Sequence, residues 1–324
     1  MTDTLAAAYR HWADVEARGV SPVYEDWARG IAEHPATLRL IASLPHGKRQ
    51  PNLVFGAARF VGAPVGSSRD VISWLAEHWH RVDPVIVSRS TQTNEAGRCA
   101  VLLPVLSRMD GPLALIEVGA SAGLCLFPDR YSYRYAADGA ETTIDPAEGP
   151  SPVVLPCSID APSVPSRLPE VVWRAGVDLN PIDVTDADQM NWLETLVWPE
   201  HHDRRQRLRA AAALAAGDPP HVVPGDLIER LPDLIDQAPD GARVVVFHSA
   251  VLVYLTPERR EEFARLVRSF PNVTWVSNEG AGVLPEVTAR VREPIGGRTI
   301  LAVDQKPVAL VAPHGQSYQA VSAA

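Results

Sequence analysis

The chain has 324 residues, 46% of them hydrophobic and 21% charged, with a formal net charge of −9. This composition supports a sizeable core and excludes a disordered chain. The acidic balance argues against a nucleic-acid partner, which needs a basic face.

The opening stretch MTDTLAAAYRHWADVE carries charges where a signal peptide needs its apolar run, and no window of about 18 apolar residues follows. The expectation is a soluble, cytoplasmic protein without a membrane partner. Leu5, Tyr9, Trp12 and Val15 recur at three- and four-residue steps, the apolar stripe of one helix. Ser21 before Pro22 makes an N-cap and first-turn pair for the next. RQPNLVFGAARFVG and RDVISWLAEHWH keep the helical period, so residues 1–108 are expected to form an N-terminal helical region. Within it, QTNEAGR (residues 92–98) starts a helix that runs into CAVLLPVLSRM, with Thr93 or Asn94 as cap and Glu95 in the first turn. A cap accounts for one polar residue, yet Gln92, Asn94, Glu95 and Arg98 cluster there. Cys99, Cys125 and Cys157 are widely spaced without a C-x-x-C pair, which fits a reducing compartment and no metal cage.

From Leu113 the texture changes. LALIEV, VVWRAGVDL, HVVPGD, ARVVVFHS and NVTWVSNEG are short apolar runs. They alternate with the helical stretches DADQMNWLETLVW, RRQRLRAAAALAA, LIERLPDLID and PERREEFARLVRSF. Alternation of this kind predicts an α/β domain over residues 109–324 with a mostly parallel sheet. TILAVD and PVALVAP are separated only by Gln305 and Lys306, too few residues for a crossover helix, so they close the sheet as an antiparallel hairpin. Residues 128–169 interrupt the plan with a proline-rich, loop-like insertion in which only RYSYRY alternates like a small strand. HHDRR (residues 201–205) reads as a solvated helix face, and Trp192 and Trp198 as core.

The centre of LALIEVGASAGL fits two chemistries. As G-x-S-x-G it is the nucleophile elbow of a serine hydrolase with Ser121 at its tip. As E-x-G-x-S-x-G it is the first turn of a nucleotide-binding α/β domain. An elbow needs several strands and an oxyanion-hole loop upstream, and the upstream residues read as helical; a Ser, acid, His order completed by His314 in VAPHGQ is cheap among ten histidines. G-x-G-x-x-G fails at Ser121 and Leu124, and no Gly-Lys-Ser/Thr follows. What survives is strand, acid, small-residue turn and helix. Gly119 and Gly123 allow tight geometry, and Ser121 keeps the turn open. Asp178 ends the next strand, where a carboxylate can accept both ribose hydroxyls of a nucleoside, and Asp226 ends the third, placed for an adenine amino group. Asp226 also reads as a helix cap.

LIEVGASAGL, VDLNP, PGDL and the closing hairpin resemble the nucleotide site of class I S-adenosylmethionine-dependent methyltransferases. RQPNLVFGAARF, STQTNEAGR, GVDLNP, VVVFHSAVLVYL and Asn278-Glu279-Gly280 are similar to an uncharacterised bacterial family of unknown function over nearly the whole length. The resemblance implies a Rossmann-like class I methyltransferase fold, mostly parallel with an antiparallel last strand, and S-adenosylmethionine as cofactor. It implies that Glu117 meets the methionine amino group and Arg98 its carboxylate, with Asn94 close by. It places His248, Ser249 and Tyr254 on the acceptor side, His248 as a base, with Glu95 and Glu279 as further acids. The expected activity is methyl transfer to a small molecule or peptide carboxylate or hydroxyl. A serine hydrolase using Ser121 and a non-catalytic nucleotide-binding protein are the alternatives.

Overall fold

The structure, a computed structural model, describes residues 2–92 and 94–321. Thr93, one of the two expected caps, lies outside the described residues. Helices α1 (Thr2–Trp12), α2 (Pro22–Ala32), α3 (Pro35–Ala42), α4 (Pro51–Val61), α5 (Ser68–Ser88) and α6 (Cys99–Leu106) come first. Strands β1 (Leu113–Val118), β2 (Ser132–Ala137), β3 (Ala140–Ile144), β4 (Val154–Ile159) and β5 (Val171–Asp178) follow. Then come α7 (Ala187–Leu196), α8 (His202–Gly217), β6 (His221–Pro224), α9 (Leu227–Asp236) and β7 (Arg243–Ser249). The remaining elements are α10 (Pro257–Arg268), β8 (Val273–Gly280), α11 (Pro285–Thr288), β9 (Thr299–Val303), β10 (Lys306–Val311) and β11 (Ser317–Ala320).

The chain forms two compact units, residues 1–93 with 185–206, and residues 94–184 with 207–324. The helical unit thus ends before α6, short of residue 108, and takes in α7 from much later in the sequence. Its core gathers Tyr9, Tyr24, Trp27, Phe55 and Trp192, all buried, with Trp12 and Trp198 packed against them. The expected core roles of Trp192 and Trp198 hold. Ser21 caps α2, its hydroxyl accepting from the Tyr24 N–H. Val15 departs from the predicted stripe. A π-helical turn over Ala13–Ala17 shifts the helical phase, burying Ala13 and Ala17 and turning Val15 out to 63% exposure.

The second unit is built on one eleven-stranded sheet, ordered β3-β2-β4-β11-β10-β9-β8-β7-β1-β5-β6. The five runs expected to be parallel strands are β1, β5, β6, β7 and β8, and all pair in parallel. The predicted hairpin is β9–β10, antiparallel. Asp304 and Gln305 both have positive φ, the two-residue turn that matches strand twist. One face of the sheet packs Ile116, Val118, Val246 and Trp275 against Leu231, Leu234 and Phe263 of α9 and α10. Two expectations are corrected. Residues 128–169 are loop-rich as expected but hold three strands rather than one: β2, β3 and β4 extend the sheet, and Tyr133 and Tyr135 of β2 are buried. No α-helix follows the glycine turn; Leu124–Leu126 is a single 3₁₀ turn, stopped before Pro128. Among the described residues no helix is long and apolar enough to cross a membrane.

Candidate functional site

In the second unit β1 is a switch point. β5 and β6 lie on one side of it, β7 and β8 on the other, so their connections diverge above its C-terminal end. Open α/β sheets bind ligands in the crevice left there. Glu117, Asp178 and Ser249 end or nearly end three neighbouring strands at this edge.

The turn after β1 is held in an alternating left-handed backbone, with φ of +71° at Gly119, +49° at Ser121 and +66° at Gly123. The amides of Gly119 and Ala120 both donate to the Val177 carbonyl, at 2.8 and 3.1 Å. Asp178 supports the same turn: its Oδ2 accepts from the Ser121 N–H at 2.8 Å and its Oδ1 from the Asn180 N–H at 2.8 Å. Asn94 clamps it from the other side, donating through Nδ2 to Ser121 Oγ and accepting at Oδ1 from the Ala122 N–H, both at 2.8 Å. Glycine at 119 has a second cause. A Cβ there would overlap Val251 Cγ2 and sit 2.8 Å from its Cγ1, so the loop after β7 closes onto the turn.

Glu117 is buried, and its Oε2 is buried without a hydrogen-bond partner. Burial pushes its carboxyl well above the ordinary range, against the pull of Arg98. A buried carboxyl oxygen left without a partner is rare in a folded protein and calls for an explanation.

The other expected residues divide. Arg98 is buried and acts as a cross-link, donating from Nε to the Pro313 carbonyl and from Nη1 to the Ser249 carbonyl, each at 3.1 Å. Two of its three nitrogens are thereby committed to backbone. Glu95 is buried; its Oε1 accepts from the Gly97 N–H at 3.0 Å and lies 3.4 Å from Arg207 Nε. Gln92 is assigned to the helical unit and Asn94, Glu95 and Arg98 to the other. Asp226 is the cap of α9, accepting from Ile228 and Glu229, and its other oxygen takes Arg259 Nη2 at 2.6 Å. That arrangement is the capping role. Tyr254 is 80% exposed in a 3₁₀ turn.

His248 is the clearest correction. It is fully buried; Nδ1 lies 2.7 Å from Glu279 Oε1 and Nε2 accepts from Trp275 Nε1 at 3.0 Å. The indole is only a donor, so it fixes the neutral tautomer with the proton on Nδ1. Both nitrogens are spent inside the core, and no atom is left to act on an acceptor. Glu279 uses the same Oε1 to accept from the Val251 and Leu252 N–H groups, which seats the loop over Gly119. Sequence reasoning missed Val251 and this anchoring role; the acid closing β8 in SNEG was its only signal. For Ser121, the group on Oγ is the Asn94 amide, which cannot serve as a nucleophile's base.

The fold defines an α/β protein with a mostly parallel sheet whose strand order switches at β1. A family model, described as an uncharacterized protein conserved in bacteria (DUF2332), matches residues 6–319, and the chain belongs to that family. No curated protein and no solved structure matches the chain.

Proposed function

We propose that the protein transfers a methyl group from S-adenosylmethionine to a small-molecule or peptide acceptor, at a carboxylate or hydroxyl, on a Rossmann-like class I methyltransferase fold. The observation that carries this reading is Glu117: a buried carboxyl with an orphaned Oε2 ending the switch strand, one strand away from Asp178. The donor set fits that group. A cationic amine answers the Glu117 carboxyl, and Asp178 keeps an unused acceptor position on each oxygen for ribose hydroxyls. The turn leads into a 3₁₀ turn rather than a long helix, so it lacks the helix N-terminus that cradles a phosphate. A phosphate-free nucleoside suits such a turn better than a nucleotide.

S-adenosylmethionine supplies a methyl group already activated by its sulfonium. The chain's own task is then to bind, align and keep water away. Glu117 would hold the ammonium, Asp178 the ribose, and Asn94 with Val251 keep the turn rigid while they do so.

Calorimetric titration of the full chain with S-adenosylmethionine and S-adenosylhomocysteine tests this. Both should bind, and Glu117→Gln should weaken both by about 1.5–3 kcal/mol, the scale of a hydrogen bond to a charged group. The same variant should leave adenosine, which has no amino acid group, within about twofold. Absence of binding to the folded protein, or equal losses for adenosine, overturns the reading.

A further inference from the structure

On the face of the sheet opposite His248, a row of polar groups crosses four neighbouring strands at one edge. Glu117 of β1 pairs with Phe247 of β7, so Ser249, two residues on, shares its face. Ser249 pairs in turn with Asn278 of β8, and Thr299 of β9 lies diagonally beyond it, opposite Gly280. Glu117, Ser249 and Asn278 are all buried. The hydrogen bonds of the row run in one direction. The Thr299 hydroxyl donates to Asn278 Oδ1 at 2.5 Å, which leaves Asn278 Nδ2 to donate to Ser249 Oγ at 3.4 Å. The Ser249 oxygen is thus an acceptor within the row, and its own hydrogen has no partner among the described residues.

Arg98 brings a second donor to the same place. Its Nη1 donates to the Ser249 carbonyl and its Nε to the Pro313 carbonyl. Nη2 lies on the same planar fork, beside Ser249, and makes no hydrogen bond among the described residues. Arg98 and Ser249 are 9% and 8% exposed, so each is buried without being sealed. The backbone fixes Ser249 at the tip of β7: Ala250, next in the chain, has a φ of +56°, a left-handed turn that an alanine adopts only under strain. Asp178 ends β5 on the other side of β1, so Ser249 stands across the switch strand from it.

A hydroxyl hydrogen and a guanidinium nitrogen side by side, both without a partner, match the oxygens of a carboxylate. Given the methyl-transfer reading, on which this inference rests, we propose that Arg98 Nη2 and Ser249 Oγ hold the carboxylate of the acceptor. The acceptor is then a carboxylic acid and the product its methyl ester. Such an acid is ionised at neutral pH and needs no base, which fits a His248 whose nitrogens are both spent. A lone pair on one carboxylate oxygen forms the bond to the methyl carbon. The carbon–sulfur bond breaks, its electron pair stays on sulfur, and no proton moves. Arg98 and Ser249 bind and orient the carboxylate so that this lone pair lies in line with the methyl group.

The test is ligand-observed NMR on the full chain saturated with S-adenosylhomocysteine, with benzoate as a small acid and N-acetyl-alanyl-alanine as a peptide end. Benzyl alcohol and N-acetyl-alanyl-alaninamide are their uncharged counterparts. At least one carboxylate should bind and its counterpart should not, and the tighter of the two assigns the acceptor to small acids or to peptide ends. Ser249→Ala should weaken that binding about tenfold or more, through the loss of one hydrogen bond to a charged group. No binding by either carboxylate, equal binding of the uncharged counterparts, or unchanged binding in folded Ser249→Ala overturns the assignment. So does carboxylate binding that saturating S-adenosylhomocysteine abolishes, because the two donors then hold the methyl donor's own carboxylate. If Ser249→Ala fails to fold, the wild-type comparisons decide. If S-adenosylhomocysteine does not bind, the methyl-donor reading fails, and the same probes on the free chain decide the carboxylate site by itself.

Discussion

Replacing Glu279 with alanine should strip the loop after β7 of its anchor. Three N–H donors converge on Glu279 Oε1: His248 Nδ1 at 2.7 Å, Val251 at 2.9 Å and Leu252 at 3.0 Å. Glu279 and His248 are buried, so the imidazole donor has no water to turn to. An unsatisfied buried donor costs about 1–3 kcal/mol, and the two loop amides recover part of theirs by shifting outward. The sum is a loss of about 3–5 kcal/mol, the range for breaking a buried network from one side. Glu279→Gln keeps a carbonyl oxygen where Oε1 stands and loses only the charge assistance, about 1–2 kcal/mol. Burial alone would raise the Glu279 carboxyl, but the His248 hydrogen bond and the loop amides outweigh it and hold the group below its ordinary range. The stability this contributes is present above the ordinary value of about 4.3 and lost as pH falls through the lowered one, so wild type and Glu279→Gln should converge in acid. Urea unfolding gives the first readout. Hydrogen exchange of the peptide spanning residues 249–255 gives the second, because the freed amides lose protection there. An alanine variant within about 1 kcal/mol of wild type, with unchanged exchange in that peptide, refutes the anchoring argument.

Gly119→Ala should lose about 1–3 kcal/mol of stability through overpacking against Val251 and left-handed strain, read by urea midpoints; Val251→Ala should recover only the overpacking part. Ser121→Gly, which relieves a positive φ but gives up the Asn94 bond, should come out within about 0.5 kcal/mol of wild type, whereas Ser121→Ala should lose about 1 kcal/mol. Neither wild type nor variant should be labelled at residue 121 by a fluorophosphonate. Glu117, whose proton is held more tightly folded than unfolded, makes the protein less stable as pH rises from about 4.3 toward its raised value. Glu117→Gln should therefore gain on wild type across that window in urea midpoints taken at several pH values, and a constant difference would contradict the raised carboxyl.

The parallel core was readable because β-runs such as LALIEV and RVVVFHS are continuous apolar segments flanked by helices of clear period. β4 hid its signal in plain composition: VLPCSI alternates exposed and buried residues at every step, yet Pro156 made it look like loop. The unit boundary was illegible for a different reason. Nothing local in ADQMNWLETL says that Trp192 belongs with Phe60, more than a hundred residues earlier; that is a long-range packing choice. At the site, the acids ending β1 and β5 were legible from position alone. His248 was not, because a strand-end histidine looks the same whether its neighbours across the sheet are solvent or, as here, Trp275 and Glu279.

β11 has a consequence for how the chain is made. It is the piece that joins β4 to β10, pairing Tyr318 with Ile159 on one side and with Val311 on the other. The Ala320 N–H reaches Asp160, 160 positions back in the chain. On the ribosome, β2 and β4 can pair with each other as they emerge, but the outer edge of β4 finds its partner only after that whole interval has been translated. At about 5–20 residues per second this is a wait of roughly 8–30 s. For that time an open strand edge with alternating apolar side chains stands ready to pair with a neighbouring nascent copy. Pro156, without an N–H to offer, sits in the middle of that edge and spoils it as a template for any other strand.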